Sequence, residues 1–227
     1  MTKRLFDIAV ATLALLFATP FLAVAAIGII LASPGPIVYR AQRVGRHGAV
    51  FTMYKLRTMH LAQTEASSIT SPGDNRIFPF GNLIRRLKID ELPQFWNILN
   101  GNMSWVGPRP EAPDIVDKHY TDWMRETLRT RPGVTSPGAI YNYLMVVTLL
   151  DENDPEGSYA CKMLPPKLAL ERAYLERASF FGDLTYVLLT AWAIVAHVLG
   201  RDVRLPEIDI TNARRWAPKG PYPIDLA

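Results

Sequence analysis

Residues Gly81–Pro110 read GNLIRRLKIDELPQFWNILNGNMSWVGPRP. Two adjacent carboxylates, Asp90 and Glu91, follow a basic run of Arg85, Arg86 and Lys88 and precede Arg109. Proline is tolerated in the first turn of a helix, where its missing N–H costs nothing, so Pro93 predicts a short helix that ends at Asn100-Gly101. Asp90 and Glu91 then lie just ahead of the helix's positive end. Acidic residues collect at helix starts for structural reasons alone, and by itself the pair reads as a cap. The neighbouring cations and the rest of the chain add a chemical reading.

Upstream, charge is distributed unevenly. After Asp7 no acidic residue occurs until Glu65, while Arg40, Arg43, Arg46, Lys55 and Arg57 all fall in that interval. Such a half faces something anionic: phospholipid headgroups, a nucleotide phosphate or nucleic acid. Nucleic acid ranks last, because the basic residues follow a hydrophobic segment directly and no helix-turn-helix, zinc-finger or RNP signature is present. The 227 residues suffice for one sizeable core plus a membrane element. A single cysteine, Cys161, excludes an intramolecular disulfide and fits a reducing compartment. The four histidines show no close ligand spacing, which argues against zinc.

Leu5 to Ala32 is almost wholly apolar, interrupted by Asp7, Thr12 and Thr19-Pro20, and stops at Ser33-Pro34-Gly35-Pro36. It is too long for a signal-peptide core and reads as a membrane element. Its length suits a single crossing. Pro20 near the middle and positive charge on both flanks (Lys3 and Arg4; Arg40, Arg43 and Arg46) suit a helix–break–helix that enters one leaflet and returns. The residues alone leave the two open. Pro36–Arg43 and Val50–Arg57 are β-prone runs joined by a Gly-containing turn, a hairpin in which Phe51, Met53, Lys55 and Arg57 share a face. For an isolated hairpin, those two cations also serve as an edge that discourages strand pairing.

Leu61 to Asn75 reads as a mobile polar loop. Glu111–Thr130 reads as helical with Tyr120, Trp123 and Leu128 in the core, and Arg131–Thr135 as a rigid turn. Asp151–Asp154 lacks the glycine and distal glutamate of a calcium loop and reads as solvated. Lys167–Ala178 is expected as an exposed helix, its Glu171 and Arg172 flanking an apolar stripe. Leu184–Leu199 is a core or membrane-surface helix, and the chain after Arg201 an irregular tail.

The phosphate-binding GxxxxGK[ST], the dinucleotide GxGxxG and the nucleophile elbow GxSxG are all absent, which disfavours NTPases, dinucleotide enzymes and α/β-hydrolases. Asp-Glu amid arginines suits phosphoryl transfer. A carboxylate is already ionised and needs no base to attack phosphorus, but it must approach an anion. The site must therefore neutralise charge, for which a second carboxylate holding Mg²⁺, together with Arg or Lys, is suited.

These motifs resemble the bacterial sugar transferases, the small monotopic phosphoglycosyl transferases that move a phosphosugar from a nucleoside diphosphate sugar, commonly a UDP-sugar, onto polyprenol phosphate. The resemblance rests on PGPIVYRAQRVGRHGAVFTMYKLRTM (Pro34–Met59), DELPQFWN (Asp90–Asn97), MSWVGPRP (Met103–Pro110) and RPGVT (Arg131–Thr135), and resumes near Tyr174–Asp183. It implies an α+β, mainly helical fold: a re-entrant membrane helix broken at Thr19-Pro20 over residues 1–34, and a catalytic domain over 35–200 with a small β-hairpin and amphipathic interfacial helices. Residues 201–227 would form an irregular tail. It further implies Asp90 as a nucleophile that forms a covalent phosphosugar intermediate and Glu91 as a Mg²⁺ ligand. Lys55, Arg57, Arg85, Arg109 and Arg131 are its candidates for phosphate or carboxylate contacts, with Asp183 at an acidic position whose role stays open. The bilayer, polyprenol phosphate and a nucleotide sugar are the implied partners, nucleic acid is not one, and homo-oligomerisation stays open. The implied location is the cytoplasmic face of a bacterial inner membrane. Lys88, Asn102 and the run after Thr135 depart from the family pattern. A non-catalytic membrane-anchored protein, or a phosphohydrolase using the same aspartyl intermediate, are the alternatives.

Overall fold

The computed structural model describes residues 2–61, 69–70, 73–151 and 153–216. Most of the loop expected over 61–75 therefore lies outside the described residues. Helix α1 (Thr2–Ala32) contains Pro20 and runs without the interruption expected at Thr19-Pro20. Proline forfeits a single backbone bond there, and the Thr19 hydroxyl donates back to the Leu15 carbonyl at 2.9 Å. Ala11, Ala18 and Ala25 are buried at seven-residue spacing and turn one narrow stripe toward the body. The opposite side is open, with Phe17 74% and Val24 67% exposed. At the N-terminal end Arg4 donates to the carbonyls of Ile98 (2.6 Å) and Leu99 (3.0 Å), and Asp7 accepts from the Ser104 hydroxyl at 2.8 Å.

Strands β1 (Val38–Val44) and β2 (Val50–Leu56) form the expected antiparallel hairpin, with Ala41 opposite Met53 and Tyr39 opposite Lys55. Helix α2 (Pro79–Arg86) follows, then a 3-10 turn at Ile89–Glu91 and helix α3 (Gln94–Leu99), with Pro93 just ahead of it as its spacing predicted. Strand β3 (Ser104–Val106) pairs in parallel with β4 (Gly133–Thr135), so the segment expected as a rigid turn is instead half of a second sheet. Glycine makes the pairing feasible: a Cβ on Gly133 would lie 2.2 Å from the Gly107 nitrogen.

Between these strands run α4 (Pro113–His119), α5 (Asp122–Arg125) and a 3-10 turn, with Tyr120 buried and Trp123 and Leu128 packed against the core. Helix α6 (Pro137–Leu149) is capped by the Ser136 hydroxyl, which accepts from the Ala139 N–H at 2.9 Å. A short α7 (Pro155–Ser158) and a π-turn lead into α8 (Leu164–Glu176). This helix covers the segment expected to be exposed, yet it is the central helix of the domain, packed by α6 and α10, with Lys167 and Glu171 both buried. Lys167 Nζ and Glu171 Oε1 find their partners in buried groups of other elements, Glu111 and Tyr159 for the first and the Arg109 N–H and Ser136 hydroxyl for the second, which periodicity cannot foresee. Helix α9 (Phe180–Val198) is apolar and partly exposed. Helix α10 (Glu207–Ala213) occupies part of the stretch expected as an irregular tail, anchored by Arg177 and the Tyr186 hydroxyl on Asp209. Residues 217–227 lie outside the described part. By length and composition α1 and α9 could each cross a membrane.

Candidate active site

Lys88, two residues past the end of α2, has φ 58°, a left-handed conformation uncommon outside glycine. Strain of this kind concentrates at functional sites, and here it turns the chain into the 3-10 turn that carries both carboxylates. Asp90 and Glu91 are both buried. Below them Asn97, fully buried, accepts from the Tyr54 N–H at 3.0 Å and donates to the Thr52 carbonyl at 2.7 Å, locking α3 to β2. That bond sets the register between the carboxylate turn and the strand bearing Lys55.

The two carboxylates differ in environment. Glu91 is gripped by Arg109, whose guanidinium donates to Oε1 at 2.6 Å and Oε2 at 3.0 Å, a fork geometry suited to charge-assisted binding. Lys88 Nζ lies 3.3 Å and Lys55 Nζ 3.7 Å from Oε1. Burial opposes the Glu91 charge, but Arg109, Lys88 and Lys55 outweigh it and hold the carboxyl well below its ordinary range. Asp90 has no such clamp: burial and then the Glu91 charge push its pKa up, against Lys55, Lys88 and Arg85. Among the described residues its buried Oδ1 has no hydrogen-bond partner. Burial lowers Lys55 to about 8, with Glu91 pulling the other way. A carboxylate of raised basicity beside three fixed cations is equipped, once it gives up its proton, to attack an anionic phosphorus.

Of the residues picked from sequence, Lys55, Glu91 and Arg109 meet directly beside Asp90, and Arg85 adds its charge to Asp90 while donating to the Thr58 hydroxyl at 3.3 Å. Three others are drawn elsewhere. Arg57 donates to the Pro36 carbonyl at 2.5 Å, to the Ser33 hydroxyl at 2.8 Å and to the Ser33 carbonyl, tying down the end of α1. Arg131 donates to the Gly101 carbonyl at 3.0 Å. Asp183 accepts from Lys3 and the Tyr174 hydroxyl, fastening α1 to α9. Lys88, noted in the sequence as part of the basic run and as a departure from the family pattern but not among the candidate contacts, is part of the site.

Arg57→Ala should therefore act first on stability, by roughly 3 kcal/mol for the lost charged hydrogen bonds and the orphaned carbonyls. Thermal unfolding in detergent measures this. Lost turnover at unchanged stability would return Arg57 to the substrate.

Glu171, on α8, lies behind the site. Its Oε1 accepts from the Arg109 backbone N–H at 3.1 Å and the Ser136 hydroxyl at 2.6 Å. A Cβ on Gly138 would sit 2.6 Å from that oxygen, so a glycine is needed for α6 to approach. Burial pushes Glu171 up to about 7, although these donors oppose it. Because the folded state keeps the proton to a higher pH than the unfolded chain, stability falls as pH rises from the ordinary value of 4.5 toward 7, then levels. Glu171→Gln keeps an acceptor and loses the titration. Wild type should lose roughly 3 kcal/mol relative to this variant between about pH 4.5 and pH 8, at about 1.4 kcal/mol per pH unit. Parallel unfolding curves across that range would refute the assignment.

The family model described as "Bacterial sugar transferase" matches residues 1–197. The chain belongs to the bacterial sugar transferase family. The sugar transferase is 34% identical over 194 residues to the UDP-glucose:undecaprenyl-phosphate glucose-1-phosphate transferase of Caulobacter vibrioides, covering 84% of this chain and 68% of that protein. It is 43% identical over 198 residues to the undecaprenyl-phosphate glucose phosphotransferase of Komagataeibacter xylinus, covering 84% of this chain and 35% of the relative. With the UDP-N-acetylgalactosamine-undecaprenyl-phosphate N-acetylgalactosaminephosphotransferase of Aeromonas hydrophila it shares 41% over 136 residues, 59% of this chain and 32% of that protein. The sugar transferase thus spans about a third of the length of these last two. All the residues at the carboxylate site fall inside the matched family region.

Proposed function

We propose that this sugar transferase moves a sugar 1-phosphate from a UDP-sugar to a polyprenol phosphate, with Asp90 as nucleophile. The observation that carries the reading is the unequal pair: a buried Asp90 with an unpartnered oxygen, next to a Glu91 already neutralised by Arg109, Lys88 and Lys55. The relatives' names supply the donor and acceptor classes.

An Asp90 oxygen attacks the sugar-bearing phosphorus, the bond from that phosphorus to the bridging oxygen breaks, and UMP leaves with the electron pair. The terminal phosphate oxygen of the polyprenol phosphate then attacks the same phosphorus and expels Asp90 as a carboxylate. Lys55, Lys88 and Arg109 hold the phosphates against a carboxylate that would otherwise repel them. Glu91 keeps these cations in place and charged, and Arg85 adds positive charge beside Asp90.

Asp90 and Glu91 supply hard oxygen donors that fit Mg²⁺, which commonly binds one or two carboxylates plus substrate phosphates. Glu91 would hold the metal by exchanging a lysine contact for it, while the free oxygen of Asp90 is left for phosphorus. When bound, the metal would neutralise the diphosphate.

Incubating detergent-solubilised protein with Mg²⁺, polyprenol phosphate and a panel of UDP-sugars, and measuring UMP, tests the reading. Lipid-linked sugar product supports transfer, UMP turning over without acceptor supports hydrolysis, and no UMP across the panel refutes both. We also propose that in a bilayer α1 bends at Pro20, where a backbone hydrogen bond is already forfeited, and returns to the leaflet it entered, with the domain on the cytoplasmic face; the charged flanks support this. An impermeant thiol reagent should then fail to label a cysteine placed at position 2 in intact cells, whereas labelling would make α1 a full crossing.

A further inference from the structure

Two cavities flank the site, and they differ in chemistry. One, of about 130 Å³, is polar, with Arg43, Lys55 and Lys167 in its wall and Glu111 paired to Lys167. The other, of about 240 Å³, lies between α6, α9 and the carboxylate turn and is walled chiefly by Leu92, Phe95, Ile140, Val187 and Ile194. Arg109 and Asn142 line both. The few hydroxyls of the larger cavity are internally satisfied, since Thr135 and Thr190 hydrogen-bond to each other and Thr190 also donates to the Tyr186 carbonyl at 2.8 Å. Its charged groups, Lys88, Glu91 and Arg109, cluster at the carboxylate turn.

From this arrangement we infer that the larger cavity is the subsite for the acceptor lipid: the first isoprene units lie among the apolar side chains while the phosphate meets Lys88 and Arg109. The inference rests on the proposed transfer reaction and deepens it. An apolar chamber with cations at one end matches a hydrocarbon chain ending in a phosphate, whereas a nucleoside diphosphate would leave its ribose and phosphates facing unpartnered apolar walls. Lys88 is positioned for the task, its ammonium 4.7 Å over the Tyr143 ring and in reach of Glu91. The chamber is small beside the roughly 300–1,000 Å³ of pockets that engulf a whole ligand, so it holds only the start of a long chain. The rest has a path: α9, which forms one wall, also carries the exposed apolar Leu188, Trp192 and Val195. The polar cavity across Arg109 is left for the nucleotide.

A short-chain isoprenyl phosphate with a diazirine on its first isoprene unit, irradiated with the wild-type protein in detergent, tests this directly. Peptide mass spectrometry should place adducts within 139–143 and 187–194, and unlabelled polyprenol phosphate should suppress them. Adducts confined to α1 or to the walls of the polar cavity would overturn the assignment. Ala191→Phe supplies a second readout, because Ala191 lines the cavity yet is exposed, so a larger side chain narrows it without forcing the core apart. Transfer to acceptor should fall at least about tenfold more than acceptor-free UMP release does. Equal losses in both half-reactions, with an unchanged melting temperature, would assign the cavity to the nucleotide sugar instead. If wild type releases UMP from no UDP-sugar, the transfer reaction itself fails, a result distinct from misplaced adducts.

Discussion

Asp90→Asn should abolish the acceptor-free release of UMP, a loss of at least roughly a thousandfold, or about 4 kcal/mol of transition-state stabilisation. Wild type given a UDP-sugar and no acceptor should release about one UMP per enzyme and stop, leaving the phosphosugar on the protein. An amide is near in size to a carboxylate, so the packing around this buried position persists, but it cannot present an anionic oxygen to phosphorus. Burial and the Glu91 charge both oppose ionisation of Asp90, so removing its charge should not destabilise the fold, and thermal unfolding should show this. Mass spectrometry of trapped wild type should find the adduct on Asp90. An adduct on Glu91 would exchange the two roles, and a burst that survives in Asp90→Asn would rule out this nucleophile.

Arg109→Ala should damage both stability and turnover. Glu91 is buried and depends first on this guanidinium, and removing one partner of a buried ion pair costs on the order of 3–5 kcal/mol. For a chain of this size that corresponds to a fall of roughly 10 °C in the melting temperature. Arg109→Lys keeps a charge without the fork and should fall between the two. In the double variant Arg109→Ala, Glu91→Ala the orphaned carboxylate is gone, so much of the stability should return while turnover stays lost. If the melting temperature of Arg109→Ala matched wild type, Lys55 and Lys88 would suffice to hold Glu91, and Arg109 would serve the substrate alone.

Several parts of this molecule were legible one element at a time. The hairpin followed from two β-prone runs around a glycine turn, and its register places Lys55 where the two-residue period had it. The helix after Pro93 and the nearness of Asp90 and Glu91 to Lys55 and Arg109 followed from local spacing and from motif resemblance. Arg57 shows the limit of that reading. It lies just past the end of β2, two residues beyond Lys55, and the same periodicity gave the pair one direction; the end of α1 supplied carbonyls that captured it. Glu171 shows the limit again: an acid on an amphipathic pattern reads as solvated, and only the Arg109 backbone and the Ser136 hydroxyl give it a place inside.

What the residues determined unaided is therefore local: one apolar stretch long enough to cross a membrane, the hairpin, and an acid pair among cations that suits phosphate chemistry. Tertiary structure decided how those charges divide. It sent Arg57, Arg131 and Asp183 to brace the frame, brought Lys88 into the site, paired β3 with β4, and made α8 the buried centre. The reason is physical. Spacing fixes the direction in which a side chain leaves its own element, but the energy of a buried charge depends on which groups from distant elements come within hydrogen-bonding range. Arg109 and Glu171 are 62 positions apart in the chain and 3.1 Å apart in space.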